Sequence, residues 1–246
     1  MTLRAIILVI AAIGLVSPQQ GPTITGVVKT EAGRSIKDVM VQGCTSTVCM
    51  ISMSDANGRF SIAGLNAGVR VAVKTAQDDS VTPLRAEAIA PLRLLDNSPV
   101  DIGTLYVPTL PKPIALSASD QQTVALPDGL SLTLRRSDLK IPATAADEDK
   151  ISGRLIPARQ LPRLADLGSE KIVAVYALYP FGAKSSSPIA VRIKSTLPSG
   201  TKVNLRTISE IDGTLSEPRG ATSDGRFITS DAGTGIVNLT WLIASR

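Results

Sequence analysis

The sequence predicts an all-β protein: two tandem β-sandwich domains after an N-terminal signal segment. Three observations carry that expectation. Short runs of alternating apolar and polar residues recur through the 246 residues, separated by Gly, Asn, Asp and Pro clusters, which is the pattern of strands joined by turns. One cluster, Met53-Ser54-Asp55-Ala56-Asn57-Gly58-Arg59-Phe60-Ser61-Ile62, centres on Asn57-Gly58, the pair best suited to the positive φ angles of a type I′ turn, and so predicts a hairpin with Phe60 and Ile62 on one face. The proline-spaced stretch Pro108-Thr109-Leu110-Pro111-Lys112-Pro113 reads as an extended, semi-rigid linker. The expected boundaries are a signal peptide at 1–17, a first domain at 22–107, a linker at 108–117 and a second domain at 118–246.

Arg4 followed by the 12-residue apolar run Ala5 to Val16 is the n-region and h-region of a secretory signal. The run falls short of the roughly 20 residues a helix needs to cross a bilayer. An uncleaved anchor or a buried strand is the alternative; the small residues Ala12 and Gly14 allow cleavage after Gly14, whereas cleavage after Ser17 would put Pro18 next to the cut. No Cys follows the run before Cys44, which argues against a lipid-modified N-terminus. The expected location is therefore secreted, periplasmic or at the cell surface, with no stable membrane span after signal removal.

After the polar Gln19 to Pro22, Thr23 to Val28 begins the first strand, and Glu31-Ala32-Gly33-Arg34 turns the chain. Ile36, Val39 and Val41 carry the apolar pattern to Cys44. Cys44 and Cys49 flank four residues, and across a short hairpin a non-hydrogen-bonded antiparallel pair lies about 4.5 Å apart at Cα, within reach of a disulfide. Export favours the bridge; two free thiols, one inward and one outward, is the other reading. Leu65-Asn66-Ala67-Gly68 is a further turn, and Val69 to Lys74 alternates as a strand. Between Thr82 and Leu95, Pro83 and Pro91 forbid a long helix and leave a loop with a short helix or an edge strand. Asp101 to Val107 closes the first domain.

The series Gly26-Val27-Val28, Gly33, Val39, Val41, Ser54 to Ile62, Leu65, Gly68 and Val71-Ala72-Val73, with Asp101-Ile102-Gly103-Thr104-Leu105 at its end, resembles the carboxypeptidase regulatory-like domain. The resemblance covers about residues 22–107, and its most recognisable part is Asp55 to Phe60. It implies a transthyretin-like sandwich of about seven strands, related to CnaB-type and starch-binding-like modules. It implies no peptidase activity, because the matched motifs are structural. Arg70 stands where that family often has Tyr.

The second half opens with a Pro127-Asp128-Gly129 turn followed by alternating Leu130, Leu132 and Leu134. Pro142 to Lys150 is an acidic loop and Ile151 to Pro162 holds short, proline-interrupted strands. Ile172 to Gly182, Pro188 to Ile193, Thr201 to Ile208, Gly225 to Ile228 and Gly235 to Leu242 complete the strands. Leu130-Ser131-Leu132 with Ile141-Pro142, Tyr179-Pro180-Phe181-Gly182, Pro188 to Val191 and Pro198 to Thr201 is similar to a ZU5-like β-sandwich of exported bacterial proteins, over roughly residues 117–246.

Composition narrows the chemistry. The chain has no His, which removes Ser-His-Asp and Cys-His nucleophile systems, His-ligated zinc and a His general base. The net charge is +5, one unit of which leaves with Arg4, and the charges are scattered, with Arg135-Arg136 the densest basic spot. No basic stripe or motif points to nucleic acid. Asp55 and Asn57 superficially suggest a calcium loop but lack further oxygen ligands, so a plain turn is the reading, repeated at Asp212-Gly213 and Asp224-Gly225. Glu210, Asp212 and Glu217 are the carboxylates a glycosidase pair would draw on, and solvated turns are the simpler reading. Lys184-Ser185-Ser186-Ser187 reads as a loop rather than a Ser-Lys nucleophile system. The chain has three Phe, three Tyr and one Trp, so a sugar platform would come from Tyr176, Tyr179, Phe181 or Trp241. Alternation instead packs Trp241 in the core with Leu239 and Ile243 on its face.

These residues point to an exported, non-enzymatic binding or structural module whose partner is an extracellular or envelope protein or polysaccharide, with no cofactor and no metal. A carbohydrate-binding module and an accessory domain pair of a hydrolase are the alternatives.

Overall fold

The computed structural model describes residues 21–77, 81–143, 145 and 149–246. Among them the regular elements are nineteen β-strands and four short 3₁₀ turns, so the protein is all-β. The signal segment expected over 1–17 and the loop Asp78-Asp79-Ser80 lie outside the described residues, as does part of the acidic loop after Pro142.

The first half contains β1 (Ile24–Thr30), β2 (Met40–Cys44), β3 (Cys49–Met53), β4 (Arg59–Ile62), β5 (Arg70–Thr75), β6 (Ile89–Arg93) and β7 (Val100–Val107). They form two sheets, of order β4-β1-β7 and β3-β2-β5-β6. Ile24, Val28, Phe60, Ile62 and Leu105 on one sheet meet Val41, Val71 and Val73 on the other, and this buried layer is what the alternation predicts. β1 and β7 run parallel, with Ile24 opposite Val100 and Thr30 opposite Val107. The Thr82–Leu95 segment resolves as an edge strand, β6, paired to β5 alone.

The Asn57-Gly58 turn is present, but the hairpin expected around it is not. β3 pairs with β2 and β4 with β1, so the turn carries the chain from one sheet to the other. Only Gly58 has positive φ, at 75°, which excludes a type I′ turn. The Gly58 N–H donates to the Asp55 carbonyl (2.9 Å), and Asp55 N–H to the Arg59 carbonyl (2.9 Å). The Asp55 carboxylate accepts from the N–H groups of Asn57 and Arg59, both at 2.8 Å. Beside it the buried Ser54 hydroxyl donates to the Ile36 carbonyl (2.8 Å) and accepts from Val39 N–H (2.9 Å), steering β3 away from β4. Phe60 and Ile62 do share the buried face.

The second half contains β8 (Ile114–Ala115), β9 (Gln121–Ala125), β10 (Leu130–Arg135), β11 (Leu139–Lys140), β12 (Lys150–Leu155), β13 (Ile172–Tyr179), β14 (Ala183–Lys194), β15 (Lys202–Thr207), β16 (Arg219–Ser223), β17 (Phe227–Ser230), β18 (Ile236–Leu239) and β19 (Trp241–Ser245). They make one twelve-stranded sheet curled into a nearly closed barrel, where two facing sheets are expected. Leu130, Leu132, Leu134, Leu178, Val191, Leu205, Ile228 and Leu242 fill its interior. The stretch read as one strand over Gly235 to Leu242 is two, broken at Thr240. Leu239 therefore faces the barrel core, while Trp241 and Ile243 face outward into a different cluster.

That cluster joins the halves. Val175, Ala177 and Tyr179 of β13 with Trp241 and Ile243 of β19 pack against Ala72 of β5, Ile89 of β6, Ala86 and Leu110. β19 is buried on both faces, one toward the barrel and one toward the first half, which accounts for the unbroken apolar sequence Trp241-Leu242-Ile243-Ala244. The proline-spaced stretch runs along this seam. Ala86 N–H donates to the Pro108 carbonyl (2.8 Å), Leu110 N–H to the Leu84 carbonyl (2.8 Å) and Ser152 Oγ to the Pro111 carbonyl (2.9 Å).

Candidate functional site

The polar groups with the most chemistry in the described residues collect at the rim of this seam. β5 alternates, so Ala72 packs into the apolar cluster and Lys74, two residues on, lies on the same face beside it. The Lys74 ammonium lies 3.9 Å from the Glu87 carboxylate and 3.9 Å from that of Glu210, and 5.6 Å from the centre of the Phe181 ring. Glu87 is buried, Lys74 is half-buried and Glu210 is about one-third exposed. Glu210 reaches Lys74 over Gly182, where any side chain would overlap the Glu210 carboxylate. Trp241 completes the rim: its indole N–H donates to the Glu87 carbonyl (2.9 Å) across the two halves.

Two further polar ties cross the same boundary. Arg70 makes a two-pronged ion pair with Asp166, one arm at 3.1 Å. Arg154 donates from Nε to Glu31 at 2.8 Å and from Nη1 to the Thr109 carbonyl at 3.0 Å, while the buried Gln160 side chain donates to the Glu31 carbonyl at 3.0 Å. Both ion pairs are partly exposed, so they contribute little to stability, and their forked geometry mainly fixes how the two halves are oriented.

The residues singled out in the sequence fall as follows. Cys44 and Cys49 are opposed across β2 and β3, Cα to Cα 4.0 Å, at disulfide distance. Asp55, Asp212 and Asp224 each serve their own turn. Asp224 accepts from Arg226 and Phe227 N–H, both at 2.7 Å, and the Phe227 and Arg226 bonds hold its carboxyl below the usual range. Burial pushes Asp212 up, but the bonds from Thr214 and Ser209 outweigh it and leave the group lowered. Glu210 turns to Lys74 and Glu217 is exposed, so the three carboxylates do not converge as an acid and base pair. Lys184 to Ser187 belongs to β14 and is not a loop; neighbouring side chains there alternate faces, and the Ser185 hydroxyl has no hydrogen-bond partner among the described residues to activate it. Arg135 pairs with Asp120 at 3.5 Å and Arg136 with Asp149, which dissolves the basic spot into two ion pairs.

The four rings available as sugar platforms are all buried: Tyr176 in the barrel core, and Tyr179, Phe181 and Trp241 in the seam. Tyr176 donates its hydroxyl to the Asp128 carbonyl (2.9 Å), and burial, then Asp128, pushes its pKa up to about 12. Phe227, only partly buried, is covered by the Arg192 guanidinium at 3.4 Å. Sequence reasoning missed the seam itself. The signal was present in β13 and β19, whose apolar residues occupy both alternating sets and so require burial on two sides.

At the barrel end, Arg206 of β15 clasps Glu170 with two bonds, 2.6 and 2.8 Å, and the buried Ser245 hydroxyl adds a third at 2.6 Å. The Arg206 and Ser245 bonds lower Glu170 to about 2. A carboxyl lowered on folding stabilises the fold above its unfolded pKa and loses that contribution as pH falls to its folded value. The stability difference between parent and Glu170→Gln should therefore be full above about pH 4.5 and vanish by about pH 2. Urea midpoints measured for both across that range test it; a difference independent of pH would place the role of Glu170 outside its charge.

No protein-family model matches the chain, and none of the curated proteins compared with it is similar.

Proposed function

We propose that this chain is an exported, non-enzymatic binding or structural module of the bacterial cell envelope or exterior. The observation that carries the reading is the use to which its reactive side chains are put. Lys74, Glu87, Glu210, Arg70, Asp166, Arg154 and Glu31 hold the two halves together, and Asp55, Asp212 and Asp224 hold turns. A body whose polar groups are committed to shape suits presentation of a surface rather than turnover. The Cys44 and Cys49 pair fits an oxidising compartment. Among the described residues no helix is long and apolar enough to cross a membrane. Seven strands in two facing sheets support the resemblance of residues 22–107 to a carboxypeptidase regulatory-like domain, whose matched motifs are structural.

The protein recovered from outside the cytoplasm should begin after the apolar run, lacking about the first 14 to 20 residues. Immobilised in that form, it should retain one envelope protein or polysaccharide saturably from the producing cell's envelope fraction. An intact Met1 on exported protein would overturn the export step, and failure to retain any envelope component would overturn the binding role. Retention of a hydrolase would move the reading to an accessory pair.

A further inference from the structure

We propose that β3 is a dimerisation edge, through which two copies of this chain join their four-stranded sheets into one continuous sheet across a twofold axis. β3 is the outer strand of the order β3-β2-β5-β6. Its register with β2 shows which of its backbone groups are already used. Thr45 N–H donates to the Val48 carbonyl and Ser54 N–H to the Val39 carbonyl, so Met50 and Ser52, in phase with them, face β2. The alternation of an antiparallel ladder then turns the N–H and C=O groups of Cys49, Ile51 and Met53 outward.

The side chains on that edge are apolar and uncovered. Ile51 is 59% exposed and Met53 51%, with Met40 beside Met53 on β2 and Val48 at the hairpin tip also exposed. Cys49 to Met53 carries no charge, no proline and no bulge, the devices that keep edge strands from pairing. The other edges of the first half do carry them. β6 has Pro91 and Arg93, β4 has Arg59 and β7 has Asp101.

A second copy fits because the strand is complementary to itself. An antiparallel pair centred on Ile51 sets Ile51 against its equivalent and Cys49 against Met53, the three positions whose backbone groups point outward. All of these groups then find partners in one register. The nearest charged residue in sequence, Asp55, lies beyond the paired stretch, where its own N–H is taken by the Arg59 carbonyl, so the ladder between copies ends at Met53 and sets no charged residues against each other. The Cys44 and Cys49 pair ties β3 to β2, so the edge is ordered before it is met.

Sedimentation velocity on the purified protein from about 1 to about 100 µM tests the proposal. The parent should be dimeric. Ile51→Lys places two like charges at the axis and should raise the dimer dissociation constant about tenfold or more. Ile51→Pro removes only an outward-facing donor, which an edge strand tolerates, and should give monomer with the far-ultraviolet spectrum of the parent. Leu95→Lys, at a residue 78% exposed elsewhere, should leave the dimer intact. A monomeric parent, a dimer that survives Ile51→Lys, or equal loss in Leu95→Lys overturns the proposal. Should Ile51→Pro fail to fold, Ile51→Lys alone decides.

Discussion

Gly58→Val should destabilise the protein by about 3 kcal/mol or more. Two costs add. The backbone at Gly58 has φ of 75°, which a β-branched residue adopts only with strain. A β-carbon there would also overlap the Val28 carbonyl oxygen, and that oxygen is fixed by the Ile36 N–H at 3.1 Å while Val28 N–H holds the Gly58 carbonyl at 2.7 Å. Gly58→Ala should lose most of the same amount, since the colliding atom is the β-carbon. Urea unfolding followed by circular dichroism measures both, and an alanine variant within about 0.5 kcal/mol of the parent would show that β1 moves aside. Replacing Asp55 and Asn57 together with Ser should cost far less and leave the melting temperature indifferent to calcium. A calcium-dependent rise in the parent, lost in that variant, would make the turn an ion site.

Trp241→Ala should cost about 3–5 kcal/mol, the range for emptying a large buried ring. Its side chain is among the largest fully buried ones and touches both halves, so the loss should appear in a single transition common to them. Trp241→Phe separates the components. It keeps most of the apolar contact and leaves the Glu87 carbonyl without its 2.9 Å donor, a cost of about 1–3 kcal/mol. A Trp241→Ala variant within about 1 kcal/mol of the parent would show that the seam contributes little to folding.

The all-β class, most strands and the turns were legible because each depends on neighbours in the chain. Gly33, Gly58 and Gly225 have the positive φ that their turn sequences call for. What failed depends on partners far along the chain. Asn57-Gly58 announces a reversal, yet its flanks join different sheets because Ser54 ties β3 to the Ile36 segment and β4 finds β1. Strict alternation put Leu239 with Trp241. It broke at Thr240, whose hydroxyl donates to the Ile208 carbonyl (2.8 Å) and whose own carbonyl accepts from Leu178 N–H. β16, Arg219-Gly220-Ala221-Thr222-Ser223, has no strand-like pattern and is held by ladders on both sides. Lys74, Glu87 and Glu210 are ordinary surface residues in the sequence, and only the docking of two distant stretches makes them a cluster.

The parallel pairing of β1 with β7 bears on how the first half would carry mechanical load. The chain enters it at Ile24 and leaves it at Val107, and these lie at opposite ends of one ladder. Once the seam contacts have parted, tension between an N-terminal attachment and the second half runs along the two strands in opposite directions. The hydrogen bonds from Ile24–Val100 to Thr30–Val107 are sheared together, instead of opening one after another as in a hairpin pulled from its ends.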